Sequence, residues 1–558
     1  MTTLGMQDTT RRRFGGEGLW QAGGFAIALA VALPIAAVAW IAFFPDENIW
    51  PHLFQTVLWD YVATTLWLML GVAVGTIAIG VGTGWLVSTA DFPGRRWFQW
   101  ALMLPLAAPT YIVAYVYTDL LEFAGPVQSA LRALFGWQTV RDYWFPDIRT
   151  TGGAVAMMVL TLYPYVYLLS RAAFLEQAAA SSEASRTLGA GPWRTFFRVA
   201  LPLARPAVVV GVALALMETL NDFGTVDYFA VRTLTAGVFN VWLKMGNVGG
   251  GAQIALVMLA FVILLIVLER LERRRRRYYA LSTRQRRARR RPLTGAAAWL
   301  AALACFLPVA LGFLVPAGVL LRHAVVHAGP SWSSRFPEYA LNSLLLAAGS
   351  AVLCVALATF LAYAVRLRGG RWLRGAARVA SLGYAVPGAV LAVGILVPFG
   401  AFDNAFDGWM RDTFGIGTGL LLSGTVAAVM FAYVVRFFAL SYGALEAGLG
   451  RVRPSMEMAA RTLGEGPTGT LARVHLPLLR GTLLTALLLI FVDVMKELPA
   501  TLLLRPFNFD TLATYVYRFG STEQLELSAL GALSIVAVGL APVILLNRTV
   551  ARDVDGPL

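Results

Sequence analysis

The sequence predicts an all-α, polytopic membrane protein of about twelve transmembrane helices in two pseudo-symmetric tandem halves. Three observations predict it. The chain is 58% hydrophobic and only 14% charged, with a mean hydropathy of +0.66, too apolar for the surface of a soluble protein. Uncharged apolar runs of the length that crosses a hydrocarbon layer of roughly 30 Å as a helix recur along all 558 residues. One stretch also occurs twice: residues 183–202 read EASRTLGAGPWRTFFRVALP and residues 458–477 read MAARTLGEGPTGTLARVHLP, the signature of an internal duplication.

The spans are expected near 24–44, 62–87, 98–118, 152–170, 204–221 and 251–268, and again near 296–321, 340–365, 379–401, 415–435, 481–503 and 527–547. With the N-terminus inside, the inner segments are 1–23, 91–97, 171–205, 269–295, 366–378, 436–480 and the tail after 547. These hold 35 of the 46 Lys and Arg but 12 of the 31 acids, a strong positive-inside bias that also explains the formal charge of +15. Nucleic acid is therefore excluded as a partner, and anionic lipid is implied.

Taken in order, 1–59 is a cytoplasmic N-terminus, with Arg11 to Arg13 anchoring it, and the first span. Ala37-Val38-Ala39 resembles a signal-peptide cleavage site, but the apolar run continues unbroken to Phe44 and reads as a retained span. The first repeated half covers 60–271. Thr64-Thr65-Leu66 and Pro109 correspond to Asn342-Ser343-Leu344 and Pro387, 278 positions later. The loop 119–150 carries Trp137, Tyr143 and Trp144, residues of a membrane interface or a partner-docking surface. An Arg-rich cytoplasmic linker occupies 272–295, and 269–291 as a whole holds twelve Arg and no Lys, a composition suited to anionic headgroups. Residues 296–337 form the seventh span and an external loop, 338–548 the second half, and 549–558 a cytoplasmic tail. The first and seventh spans stand outside the repeat. Cys305 and Cys354 both lie in apolar runs, where neither a disulfide framework nor a thiolate metal site is expected.

The repeated stretches face the cytoplasm in this topology. In each, a helix (Glu176 to Leu188; Glu446 to Leu463) runs into a glycine, Gly189 or Gly464, able to take the left-handed conformation that ends helices. Thirteen residues later Pro202 or Pro477 suits the opening of the next span, where a missing N–H costs nothing. The expected result is a helix–turn–helix along the membrane surface, present twice, a match for a two-fold symmetric partner.

The residues of these stretches resemble the signature of permeases of binding-protein-dependent ABC importers: Glu-Ala-Ala, three residues, Gly, nine residues, Ile or Val, one residue, Leu-Pro. Glu183, Ala184, Gly189, Val199, Leu201 and Pro202 match in the first copy, and Ala459, Ala460, Gly464, Val474, Leu476 and Pro477 in the second. Ser185 replaces the second Ala, and Met458 stands where the Glu belongs, with Glu457 one position early. The resemblance implies that each loop is a coupling helix docked in a cleft of an ATPase subunit. The stretches 217–239 and 493–517 are similar to those of fused-type ferric-iron importer permeases, which implies Fe(III) as cargo. Thiamine, sulfate and polyamine permeases share the fold and remain alternatives.

Glu218, Asp222 and Asp227 in one half, and Asp493, Lys496 and Glu497 in the other, stand at or near span ends, where ionisable groups suggest a translocation path. Carboxylates are hard oxygen donors that suit Fe(III); the competing reading is structural ion pairing or gating. Asp222 and Glu497 align at an offset of 275. His323 and His327 stand four apart on one helix face, but no third ligand is nearby, so no metal site is expected.

Only two Lys exist, Lys244 and Lys496, and neither follows a Gly, so there is no phosphate-binding P-loop. The chain is expected to be no enzyme and to bind no cofactor. ATP and Mg would sit on two cytoplasmic ABC ATPase subunits, and a periplasmic substrate-binding protein would deliver the solute. The expected location is the bacterial inner membrane, with both termini cytoplasmic. A secondary transporter would also carry twelve spans, but its repeats are usually inverted, whereas both motif copies here lie on one side.

Overall fold

The computed structural model describes residues 6–176, 191–276, 290–332 and 335–555. It is almost wholly helical, with eleven helices long and apolar enough to cross a membrane among the described residues, or twelve with one bent pair counted as a span. The long helices are α1 (Met6–Phe43), α2 (Leu58–Thr89), α3 (Thr110–Leu121), α4 (Thr151–Glu176), α5 (Pro192–Asn221), α6 (Val248–Arg276), α7 (Gly295–Val326), α8 (Phe336–Arg368), α9 (Gly388–Phe414), α10 (Val426–Arg451), α11 (Pro467–Met495) and α12 (Leu525–Asp555).

The duplication is visible element by element. Helix α4 begins at Thr151 and α10 at Val426, 275 positions on, and their ends, Glu176 and Arg451, are again 275 positions apart. Short helices Gly224–Tyr228 and Pro499–Leu504 follow α5 and α11 in the same way.

Several expected spans have different limits. The third, near 98–118, is broken into a helix Arg95–Ala101, a 3-10 turn Leu104–Ala107 and α3, with a bend of 91°. Ala108 precedes Pro109 and is extended, as a residue before proline tends to be, and this ends the first segment. Val386 and Pro387 do the same in the second half, so α9 starts at Gly388 and not near 379. The span expected from 415 begins at Val426, because Gly415, Gly419 and Gly424 take positive φ and hold 415–424 as a loop. Asp403 fastens that loop, accepting from Leu422 N at 3.1 Å and from Ser423 N at 2.7 Å. The span expected at 481–503 runs instead from Pro467 to Met495, and Arg436, assigned above to an inner segment, is buried within α10.

Proline also behaves differently from the expectation. Pro202 and Pro477 do not open their spans, which are already helical from Pro192 and Pro467. Each stands two residues beyond a π-helical turn, Phe196–Ala200 or Leu471–His475, and Pro316 has the same relation to Ala310–Leu314. An interior proline lacks its N–H and its ring crowds the carbonyl four residues back; a wider turn just before it absorbs both defects.

Contacts divide the chain into two compact units that do not follow the sequence halves. One gathers Met1–Asn48, Gly246–Leu256 and Pro337–Thr511; the other gathers Ile49–Met245, Val257–Phe336 and Leu512–Leu558. In the first unit α1 packs on α9 and on the short helix Arg371–Ala380. Gly394 of α9 lies so close to α1 that a Cβ there would fall 2.1 Å from Pro34 O. At the far end of α1, Gln253 Nε2 donates to Asn48 Oδ1 at 3.0 Å. In the second unit α7 packs on α12 and on the helix Arg95–Ala101, and a Cβ at Gly539 of α12 would fall 2.4 Å from Ala107 O. The span preceding the first repeat therefore packs on the second, whereas α7 packs both on first-repeat elements and on α12, the last span of its own repeat.

Candidate functional site

The second copy of the repeated motif is described throughout. After α10 the chain extends at Val452 and restarts as the helix Pro454–Thr462, so the expected continuous helix from Glu446 to Leu463 is two elements. Pro454 suits the restart because its fixed φ is already helical. Gly464, at φ 88°, closes the far end. Its N–H donates to Arg461 O at 3.1 Å and the N–H of Glu465 to Ala460 O at 3.0 Å, the paired bonds of a Schellman cap. Ala460 is buried, Ala459 is exposed, and Met456, Met458 and Leu463 present an apolar outer face. Leu476 and Pro477 lie just past the π-turn in α11.

Glu457 points inward. Its carboxylate meets Arg366 Nε of α8 and lies 3.1 Å from Nε2 of His475, whose side chain is fully buried. Arg366 also donates to Leu449 O and, at 2.7 Å, to Val452 O, while Tyr363 Oη donates to Pro467 O at 2.7 Å.

In the first copy Glu183, Ala184 and Gly189 lie outside the described residues; Leu201 and Pro202 are placed in α5. Residues corresponding to the charged cluster are apolar or small. Ala200 stands at the place of His475 and Ser88 at that of Arg366, while Trp85 stands at that of Tyr363 and packs on Phe174 and Phe196, each with centroids 5.2 Å away.

The six ionisable residues near span ends are each placed. Asp222 accepts from Thr225 N at 2.8 Å and Thr225 Oγ1 at 3.0 Å, capping the helix Gly224–Tyr228. Glu497, its counterpart, accepts from Ala500 N at 3.1 Å and Thr501 Oγ1 at 2.8 Å, capping Pro499–Leu504. It also pairs with Arg436 Nη1 at 3.1 Å, both side chains being buried. Asp493 pairs with Lys496 at 2.9 Å, one helical turn apart. Asp227 accepts from Tyr517 Oη at 2.6 Å, and Glu218 is half-buried on α5. Asp222, Asp227, Asp493, Lys496 and Glu497 are thus each engaged in a hydrogen bond or ion pair.

The histidines predicted to make no metal site are stacked, and His323 Nε2 lies 3.2 Å from Asp119 Oδ2. Among the described residues no group of three or more His, Cys, Asp or Glu is placed to hold a metal ion. In the loop 119–150, Trp137 stacks on Tyr143 with centroids 4.7 Å apart, and Trp144 is exposed. There the backbone N–H groups of Thr139 and Gln138 hold the Asp142 carboxyl below the usual range.

The description "Binding-protein-dependent transport system inner membrane component" matches twice, over residues 77–278 and 354–556. The chain belongs to this family of transport permeases. Two relatives are similar along nearly the whole permease. The Fe(3+)-transport system permease protein FbpB 2 of Haemophilus influenzae is 24% identical over 503 residues, 89% of this chain and 91% of the relative. The putative ferric transport system permease protein FbpB 1 of the same organism is 23% identical, over 88% and 77% respectively. The molybdenum transport system permease protein ModB of Escherichia coli is 28% identical over 208 residues, 36% of this chain and 87% of the relative.

Sequence reasoning had missed several partners in this permease: Arg366, His475, Arg436, Thr225, Thr501 and Tyr517. Two of them carried a signal. Arg436 is a cation inside an otherwise apolar run, and His475 breaks the match between motif copies where the first has Ala200.

Proposed function

We propose that this multi-pass inner-membrane permease carries ferric iron inward, receiving it from a periplasmic binding protein and drawing energy from two cytoplasmic ATPase subunits that hold ATP and Mg. The observation that carries the reading is similarity to ferric permeases that extends through both halves, 89% of the chain, where the molybdenum permease matches the length of one half. Both motif copies then lie on the cytoplasmic side with the two termini. Glu183, Ala184, Gly189, Leu201 and Pro202 in one copy, and Glu457, Ala459, Ala460, Gly464, Leu476 and Pro477 in the other, form the two docking elements. The exposed Met456, Met458 and Leu463 supply an apolar surface of the kind that inserts into a partner's cleft. ATP-driven closure of the two ATPases pushes these elements and biases a helical bundle between two states of access. The chain holds no P-loop, so hydrolysis belongs to the partners.

A second reading, molybdenum uptake, rests on the 28% identity to ModB within a half. Proteoliposomes holding the assembled transporter decide between them. ATP-dependent uptake of ferric iron presented on its binding protein, with molybdate, sulfate and thiamine ignored, is the expected result; uptake of one of those solutes and not of iron overturns the cargo assignment.

A further inference from the structure

We propose that Arg366, Glu457 and His475 form a latch that makes the second docking helix move as one body with the spans behind it. The proposal rests on the ATP-driven reading above.

The geometry carries it. Helix Pro454–Thr462 is a short element with one buried Ala on its inner side and an exposed outer face, so little apolar packing holds it to the bundle. Glu457 supplies the missing attachment. Its carboxylate reaches Arg366, on the end of α8, and lies beside His475, inside the π-turn of α11. Arg366 in turn bonds the carbonyls of Leu449 and Val452, the segment through which α10 enters the docking helix. Tyr363, one turn before Arg366, bonds Pro467 O and packs on the His475 ring at 5.3 Å. Two spans thus meet one carboxylate and a third is tied in through Arg366, so a push on the helix reaches α8, α10 and α11 together.

The shift of the carboxylate by one position gains a reason here. A helical step of about 100° separates Glu457 from Met458. It turns the acid toward Arg366 and His475 and leaves Met458 exposed at the place where the motif carries its Glu. In the first half Ser88 and Ala200 stand where the cation and the imidazole would be, and among the described residues there Trp85 packs on Phe174 and Phe196. Charge-assisted hydrogen bonds are strong and geometrically specific, so they hold the helix in a defined register.

The test uses the full chain assembled with its ATPases. Glu457→Gln and His475→Ala, the latter copying the first half, are expected to raise ATP hydrolysed per solute imported by at least about fivefold, the lower end of coupling effects between sites. Should Glu457→Gln fold poorly, Arg366→Met with Glu457→Met removes both charges and is expected to show the same loss. A readout independent of solute is the pulsed-EPR distance between labels on Leu463→Cys and Trp372→Cys, both exposed. It is expected to be narrow in the parent and broad when Glu457→Gln is added. Lower yield with an unchanged hydrolysis ratio and an unchanged distance distribution would overturn the latch. A parent complex lacking ATP-driven uptake would instead overturn the transport reading, with the distance measurement still deciding the latch.

Discussion

Arg436 Nη1 lies 3.1 Å from Glu497 Oε1, deep in the second half, and the corresponding pair in the first half is Thr161 and Asp222. Thr161 bonds Thr110 at 3.0 Å, and Asp222 acts as a cap through Thr225. The duplication therefore kept the capping carboxylate and varied its cation. Where the cation exists, a buried ion pair is expected to resist removal of one member far more than removal of both.

Arg436→Met strands Glu497 in the bundle and should cost about 3–5 kcal/mol, the range for an uncompensated buried charge. Adding Glu497→Gln should restore most of that loss, because the amide oxygen still accepts from the helix N-terminus. Thermal unfolding of the purified protein in detergent checks this. A double variant as unstable as Arg436→Met alone would show that charge pairing is not the cause.

Asp222 separates the capping role from a cargo-binding role. Asp222→Asn keeps an oxygen for Thr225 and should leave stability and uptake near the parent values, whereas Asp222→Ala should lose about 0.5–2 kcal/mol of local stability. Abolished uptake in a fully stable Asp222→Asn protein would return this residue to the translocation path.

Gly464 has φ 88° and open space around the position of a Cβ, so any penalty there comes from the backbone. Gly464→Val should cost about 1–2 kcal/mol and weaken the Schellman cap, while Gly464→Asn should be milder. Hydrolysis uncoupled from uptake is the expected phenotype of the valine variant. Full coupling in it would mean that the cap does not set the docking geometry.

Gly394 tests the exchange of the first span. Gly394→Leu places a side chain against Pro34 O and Val38 and should cost about 1–3 kcal/mol by overpacking, with easier proteolysis of α1. Gly400→Leu, in the same helix with nothing near its Cβ, is the control and should be silent. Equal behaviour of the two would argue that α1 is not held on α9 at this point.

Much was decided by the sequence alone. Apolar runs of spanning length can only be helices in a bilayer, because every backbone N–H must be bonded within the segment, and so the fold class and the number of spans follow from composition and length. The repeat follows from residue identity, and Gly464 announces its own left-handed turn because few other residues adopt that φ. Span limits failed where proline and glycine act on neighbours: Pro109 and Pro387 break the chain one residue earlier, and three glycines turn 415–424 into a loop although its apolar residues suggest a span.

Tertiary structure alone decided three things. It packed α1 on the second repeat and α7 on α12 together with first-repeat elements, a choice invisible in sequence because an apolar helix face of Ala, Val and Leu carries no address. It turned Glu497 and Asp222 into caps, one of them with a cation 61 positions away, since a buried charge is defined by whatever the fold brings beside it. It also gathered Arg366, Glu457 and His475 from three separate helices into one cluster, where the sequence offered a shifted acid, one cation of a basic turn and an unmatched histidine. The physical reason is common to all three. Hydropathy acts along the chain and can be read from it, whereas packing and charge pairing act across it.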